Sequence, residues 1–222
     1  MTEEAPRVGV PVPRRRRGAA LTSLAGRPLR TVRPVQAGEQ YAQPRQQLAK
    51  MARNGELHRT ANGYYVVVPR AAIGTSWMPP LEAVAAGIAA ADFGLNNAVL
   101  MGVSAARLHG ALPRALAVAV VAVPMQRAKV RLRDRDGSVV FVKRNVDRLD
   151  AERLATELGP ALVTTVEQTV LDLAHRPLLG GAGDDVPAAI RTLLPRCDRH
   201  RLDELAVEQR LRAARDRAVS VS

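Results

Sequence analysis

The most regular alternation of apolar and polar residues in the chain lies between Gln43 and Asn54. Proline at position 44 suits the first turn of a helix, and Asn54 followed by glycine supplies a left-handed stop, so this segment predicts a helix of about ten residues. At about 100° per residue, one side of the helix is apolar and the opposite side is basic and rich in amides. The apolar side carries Pro44, Leu48, Met51 and Ala52, and the polar side carries Gln43, Gln46, Lys50 and Arg53.

A β-hairpin is predicted directly after this helix. Residues 56–59 form a short strand, Asn62-Gly63 is a turn signal, and residues 64–69 are rich in β-formers and end in proline. Because side chains alternate along a strand, Tyr64 and Tyr65 are expected on opposite faces, one packed on the helix and the other outside. A helix, a stop and a hairpin in this order are typical of a winged helix-turn-helix.

The preceding helix of such a motif is predicted at residues 35–41, and an earlier helix at residues 21–29. Local signals oppose the first of these assignments, since Pro34 stands at its start and Gly38 lies inside it. The docking angle of the motif depends on this helix, because it would set how the recognition helix is presented.

The composition changes after Pro69, where a small-residue helix is expected at residues 81–91. The rest of the chain predicts a short helix at 104–109 and a helix capped by Thr164 or Thr165. Strands are predicted at 115–123, 129–133, 139–143 and 161–164, and two charged helices at 187–218.

These elements predict an α+β fold with two domains. An N-terminal winged helix-turn-helix domain at 19–72 is expected to follow a flexible basic arm at 1–18. A C-terminal α+β domain at 78–222 is expected to hold a small mixed sheet with flanking helices.

Charge points to a polyanionic or acidic partner. The chain carries a formal charge of +12, of which residues 1–70 hold +9. The polar side of the predicted helix carries residue types that recognise bases in the major groove. Glutamine can pair with the edge of adenine, and arginine or lysine with the edge of guanine, so double-stranded DNA is the predicted partner. The predicted DNA contacts are Arg14, Arg15, Arg16, Arg17, Gln43, Arg45, Gln46, Gln47, Lys50, Arg53, Arg59 and Asn62, with His58 beside Arg59. An ordinary solvated helix face and a solubilising basic tail are the alternatives.

The sequence gives little support for a disulfide, a metal centre or a membrane segment. A single cysteine, Cys197, excludes an intramolecular disulfide and a thiolate-rich metal centre, and the scattered histidines show no i, i+4 pair. We therefore expect no metal and no cofactor in a cytoplasmic protein. The longest uncharged apolar run, residues 115–125, is shorter than the roughly 20 residues that span a bilayer, so no membrane segment is predicted.

Catalysis has no positive signal, although one alternative remains. Serine-nucleophile and phosphate-cradling motifs are missing. Asp134 and Asp136 have a metal-binding spacing but are expected as exposed turn carboxylates, and the glycine-rich segment 180–185 is expected as a loop. An enzyme that inactivates its partner by phosphorylation, with these aspartates in its site, is the alternative function.

Three stretches resemble the AbiEi antitoxin family, in matching order. They are the segment 48–69, the segment Ser104-Ala105-Ala106-Arg107-Leu108-His109-Gly110, and the segment Thr165-Val166-Glu167-Gln168-Thr169-Val170-Leu171-Asp172-Leu173-Ala174. The resemblance implies an antitoxin of a type IV toxin–antitoxin system whose winged helix represses its own operon. It further implies that the C-terminal domain neutralises a co-encoded nucleotidyltransferase toxin.

Operators read by such modules are often inverted repeats. We therefore expect two protomers per operator, either as a dimer or by cooperative loading, with the free protein a monomer or a dimer.

Overall fold

The computed structural model describes residues 14–221, and for residues 14–17, 19 and 20 it describes the backbone alone. The fold is α+β. Its helices are α1 (Arg14–Ala25), α2 (Pro44–Arg53), α3 (Leu81–Phe93), α4 (Val103–Leu108), α5 (Val166–His175), α6 (Val186–Leu193), α7 (Arg199–Glu208) and α8 (Arg212–Ser220). Its strands are β1 (Thr31–Val32), β2 (Leu57–Ala61), β3 (Tyr64–Val67), β4 (Val99–Leu100), β5 (Val118–Val123), β6 (Val130–Arg131), β7 (Ser138–Lys143), β8 (Ala151–Thr156) and β9 (Gly159–Thr164).

The N-terminal elements surround a small antiparallel sheet of order β1-β3-β2. Strands β2 and β3 form the predicted hairpin, with Gly63 at φ 78° in its turn, a conformation that suits glycine. The apolar side of α2 packs on one face of this sheet, so Leu48 and Met51 share a buried cluster with Tyr65 and with Leu24 of α1. The predicted helix and hairpin are both confirmed.

The larger sheet has six strands in the order β6-β7-β5-β4-β9-β8, with parallel and antiparallel pairs. Because side chains alternate along each strand, the sheet has two buried faces. Val120 and Ala122 of β5 lie in the core formed with α5–α8, whereas Val121 and Val123 lie in the core formed with α3. The sheet is thus covered by helices on both sides.

The N-terminal sheet packs against α3, on the same side of the larger sheet. Leu29, Tyr64 and Val66 belong to the cluster that α3 forms. The contact is close, because a Cβ at Gly87 of α3 would lie 2.1 Å from the Thr31 hydroxyl oxygen. The N-terminal elements therefore share a hydrophobic core with the rest of the chain.

Several sequence expectations differ from the structure. In place of a helix at 35–41 there is one 3-10 turn, Pro34–Ala37, since Gly38 ends it. Helix α1 begins at Arg14, inside the segment 1–18 expected as a flexible arm, and residues 1–13 lie outside the described residues. Strand β8 was not predicted, and the C-terminal end has three helices, α6–α8, where two were expected.

The expectation that one of the adjacent tyrosines lies outside was wrong. Tyr65 packs under α2 and Tyr64 packs under α3, and both are buried. The physical reason is that α3 covers the hairpin face that an isolated domain would expose to solvent. Within residues 14–221, every helix falls short of the length and apolar character needed to cross a bilayer.

Candidate nucleic-acid interface

The polar side of α2 faces solvent. Pro44 occupies the first turn and Gly55 at φ 72° follows the last, so the helix begins and ends where the sequence predicted. Leu48 and Met51 are buried against the small sheet, which fixes the rotation of the helix about its axis. The exposed residues are Gln43, Arg45, Gln46, Lys50 and Arg53, and Gln47 is half-buried.

A groove of about 740 Å³ separates the beginning of α2 from the hairpin. Its walls come from three places in the chain, namely the 3-10 turn, the first turn of α2 and the hairpin. The predicted residues Gln43, Arg45, Gln46 and Arg59 line it, together with Arg33, Pro34, Val35, Pro44, Gly63 and Tyr65. The fold therefore brings one predicted hairpin residue next to the first turn of the predicted contact helix.

The hairpin tip carries a small hydrogen-bonded group of polar side chains. Arg59 Nη2 and Arg133 Nε each donate to Asn62 Oδ1, both at 3.0 Å. Arg59 and Asn62 were predicted site residues, whereas Arg133 comes from the segment after β6 and was not. A single acceptor thus holds two guanidinium groups side by side on the surface.

His58 does not share the exposed position of Arg59. Its Nε2 lies 2.8 Å from Asp134 Oδ2, and its ring meets the edge of the Trp77 ring at a centroid distance of 6.0 Å. Burial by itself would raise the pKa of Asp134, but hydrogen bonds from His58 and Arg135 lower that pKa below its usual value. Asp134 is therefore a buried hydrogen-bond partner of the hairpin, which corrects its expected role as an exposed turn carboxylate. Asp136 is fully exposed, as expected.

A second buried carboxylate, Asp92 of α3, anchors the other side of the small sheet. Arg33 Nη1 lies 2.5 Å from Asp92 Oδ1, and Arg127 Nη2 lies 2.9 Å from Asp92 Oδ2. The Tyr64 hydroxyl also donates to Asp92 at 2.9 Å. Burial, followed by this hydrogen bond, raises the pKa of Tyr64 to about 12. Because its partners are scattered along the chain, no sequence spacing indicated this cluster.

The arginine run Arg14–Arg17 forms the first turn of α1. The structure describes only its backbone, so the predicted contacts of Arg14, Arg15, Arg16 and Arg17 lie outside the described side chains. These four residues therefore remain predictions.

The later motifs organise the core of the six-stranded sheet. Thr165 caps α5 by accepting from the Gln168 backbone nitrogen at 3.3 Å, and Gln168 Nε2 donates to Asp172 Oδ1 at 3.1 Å. Burial raises the pKa of Asp172 to about 6, although Arg144 lies 3.6 Å away and counteracts this effect. His109, at the end of α4, contacts the Thr164 carbonyl oxygen at 2.7 Å. These contacts tie helices to strands.

Among the residues described, no group of three or more histidine, cysteine or acidic side chains is placed to hold a metal ion. Asp134 is bonded to the hairpin while Asp136 points to solvent, so this pair does not converge on a common site. Asp185 is paired with Arg114. The aspartates of the phosphorylating-enzyme alternative are thus dispersed.

Comparison with known proteins finds similarity to a solved structure and to a family model. The crystal structure of the RV2827C protein from Mycobacterium tuberculosis aligns with a TM-score of 0.56 and 19% identity, over 92% of this chain and 77% of that one, and shows a shared fold. No curated protein matches. The family model described as the AbiEi antitoxin C-terminal domain matches residues 97–221, which is more than half of the chain. The chain belongs to the AbiEi antitoxin family.

Proposed function

We propose that this protein is the antitoxin of a type IV toxin–antitoxin system. It neutralises a co-encoded nucleotidyltransferase toxin and represses its own operon by binding double-stranded DNA. Family membership supports the antitoxin role, and the C-terminal region matched by the family model is the natural place for toxin contact. The matched family is not a known family of enzymes, and the dispersed aspartates give phosphorylation no support.

The observation that carries the DNA-binding proposal is the exposed polar side of α2 beside the hairpin. In a winged helix-turn-helix, a recognition helix enters the major groove and the wing contacts the backbone. We assign α2 as the recognition helix and β2–β3 as the wing. Helix α1 and the 3-10 turn Pro34–Ala37 then replace the preceding helices of the motif.

Two kinds of contact are expected from this arrangement. Gln46, Lys50 and Arg53 are proposed to meet base edges, where arginine and lysine favour guanine and glutamine favours adenine. Arg59 on the wing is proposed to meet phosphates, which orient the protein without reading sequence. Two protomers on an inverted repeat, either as a dimer or by cooperative loading, complete the proposed repressor complex.

A gel mobility-shift titration of the DNA upstream of its own gene, with scrambled DNA of equal length, tests this proposal. Replacing Lys50 or Arg53 by alanine is expected to cost about 1–3 kcal/mol of binding free energy if the side chain reads a base. Arg191→Ala, in α6 on the far face of the larger sheet, removes the same charge from an exposed helix position. We expect this control to bind like the parent chain. Equal affinity for own and scrambled DNA would contradict repression by this route.

Toxin neutralisation has its own test. The full chain is co-expressed with the neighbouring nucleotidyltransferase gene, and growth is recorded with and without the antitoxin. We expect growth to be restored both by the parent chain and by the Lys50→Ala, Arg53→Ala double variant, since α2 lies outside the matched region. Failure of the parent chain to restore growth would exclude the antitoxin role for that pair.

A further inference from the structure

The groove between the beginning of α2 and the hairpin has an apolar lining that contact with DNA leaves unexplained. We refer to it as the α2 groove. Val35 is 75% exposed, and Pro34, Pro44 and Tyr65 line the groove with it. The phosphates of a duplex are charged and strongly hydrated, so they gain no stability from apolar contact of this kind. The apolar lining therefore fits a ligand that has an apolar body.

The rest of the α2 groove is cationic. Arg45 is exposed, and no hydrogen bond or ion pair joins its guanidinium group to another described residue. Arg59 donates to the neutral amide oxygen of Asn62, a contact that orients its charge without neutralising it. Arg33 differs, because its charge is paired with Asp92. None of the described residues that line the groove is acidic, so its two unpaired guanidinium groups favour an anion.

The walls of the α2 groove are held by contacts outside it. Gln36 Oε1 accepts from the Arg33 backbone nitrogen at 3.0 Å, and Gln36 Nε2 donates to the Ala91 carbonyl oxygen of α3 at 3.1 Å. These bonds attach the 3-10 turn to α3. On the other side, Leu48 and Met51 fix α2 on the small sheet. The groove therefore exists before a ligand arrives, which lowers the entropic cost of binding.

Size and chemistry together define the class of ligand. The volume of about 740 Å³ lies within the range of about 300–1,000 Å³ that is typical of small-molecule sites. Guanidinium groups bind planar carboxylates through two parallel hydrogen bonds. The rings of Pro34 and Pro44 are rigid, so a flat and rigid ring system can pack on them with little loss of conformational freedom. A small aromatic carboxylate meets both requirements.

We propose that the α2 groove binds a small aromatic carboxylate, with its ring on Val35 and the neighbouring prolines and its carboxylate on Arg45 and Arg59. The groove lies between the helix and the hairpin that the proposed function assigns to DNA. A bound carboxylate therefore competes with the duplex for the same arginines and acts as an effector that releases the operator. This consequence rests on the proposed function, whereas the binding site rests on the groove alone.

Isothermal titration of the full chain with cinnamate tests the site, and cinnamamide and acetate serve as comparison probes. Cinnamamide has the same shape without the charge, so we expect it to bind at least about tenfold more weakly than cinnamate. Acetate keeps the charge but lacks the ring and should bind more weakly than cinnamate as well. Equal affinities for cinnamate and cinnamamide would show that the chain recognises apolar surface only, which contradicts the proposal.

Two variants locate the site within the chain. Val35→Asp places a carboxylate in the apolar lining, and Arg45→Gln removes an unpaired cation. Each should weaken cinnamate binding by at least about tenfold. The matched controls are Val207→Asp and Arg191→Gln, at exposed positions of α7 and α6 on the far face of the larger sheet, and both should bind cinnamate like the parent chain. Thermal unfolding of each variant checks that the fold is retained.

Competition with a fluorescently labelled duplex of the chain's own promoter tests the consequence for DNA. At a cinnamate concentration of about ten times its dissociation constant, simple competition weakens DNA binding about elevenfold. Acetate at the same concentration controls for ionic strength, which by itself weakens DNA binding. Unchanged DNA affinity while cinnamate occupies the groove would contradict the competition.

The remaining outcomes separate this inference from the proposed function. If cinnamate shows no detectable binding, or binds the parent chain and the Val35→Asp variant equally, the inference is wrong. If sedimentation shows a dimer that Val35→Asp dissociates, the α2 groove is a contact between two copies and the inference is also wrong. If cinnamate binds as expected but the parent chain shows no preference for its promoter, the repressor role fails while the binding site stands.

Discussion

The carboxylate of Asp92 joins the N-terminal elements to the core of the larger sheet. It accepts hydrogen bonds from Arg33 and Tyr64 and forms an ion pair with Arg127. Both guanidinium groups also lie within 6 Å of the Tyr64 ring centre. Because Asp92 is almost fully buried, its removal leaves two cations without their partner in a partly desolvated site.

Asp92→Ala is expected to lower the free energy of unfolding by about 2–3 kcal/mol. This cost is smaller than the cost of breaking a fully buried ion pair, because both arginines are partly exposed. Urea denaturation measures this change. Asp136→Ala is the matched control, since its carboxylate is fully exposed, and should change stability by less than about 0.5 kcal/mol. Similar costs for the two variants would contradict the anchoring role of Asp92.

Asp172 gives stability a distinct dependence on pH. Its pKa in the folded chain is about 6, above the ordinary value of 3.8, because burial disfavours the charged form. The folded state therefore binds the proton more tightly than the unfolded state. The contribution of Asp172 to stability falls as the pH rises from about 4 to about 6 and is constant above that range.

Comparison of the parent chain with Asp172→Asn isolates this group from the other carboxylates. Between pH 7 and pH 4 the parent chain should gain about 2 kcal/mol of unfolding free energy relative to the variant. Urea denaturation at pH 4, 5, 6 and 7 gives the two curves. If they run parallel over this range, the folded pKa of Asp172 is not raised.

Helix α3 and strand β1 approach one another more closely than any larger side chain permits. A Cβ at Gly87 would overlap the Thr31 side chain, which donates to the Leu29 carbonyl oxygen and is buried. The contact between these elements sets how the small sheet, and with it α2, sits on the rest of the chain.

Gly87→Ala should therefore destabilise the protein by about 1–3 kcal/mol through overpacking, although alanine favours helices. Gly18→Ala in α1 is the opposite control, because no described atom outside its own helix turn lies within 4 Å of the added methyl group. That variant should be neutral or slightly stabilising. Thermal unfolding of both variants shows whether each substitution raises or lowers stability. A Gly87→Ala protein more stable than the parent chain would show that α3 and β1 can move apart at little cost in free energy.

Because the small sheet and α3 share a hydrophobic core, we expect the N-terminal elements and the larger sheet to unfold in one cooperative transition. Trp77, the single tryptophan, lies against His58 near the junction and reports on it. Urea denaturation followed by Trp77 fluorescence and by far-ultraviolet circular dichroism should give coincident transitions. An early fluorescence change at constant helix content would show that the N-terminal elements detach first.

Local signals predicted the elements that they govern. Proline at the start and Asn54-Gly55 at the end predicted α2, and Asn62-Gly63 predicted the hairpin, since these residues act on the backbone of their own turn. The segment 35–41 was misassigned because Gly38, which has a low helix propensity, follows the 3-10 turn Pro34–Ala37 and the helix does not continue past it. Strand β8 was missed because it is an edge strand with no fully buried residue, so its sequence lacks the apolar alternation that marks a strand.

The sequence by itself determined the polar side of α2, the basic excess and the family. The first depends on residues close together in one helix, the second on composition alone, and the third on the order of residues along the chain. The tertiary structure alone decided that Tyr64 is covered by α3, that Asp92 and Asp134 are buried partners, and that Arg133 lies beside Asn62. These contacts join residues from about 28 to 76 positions apart. Such pairings leave no spacing pattern in the chain, because packing of the two sheets, and not local backbone preference, brings them together.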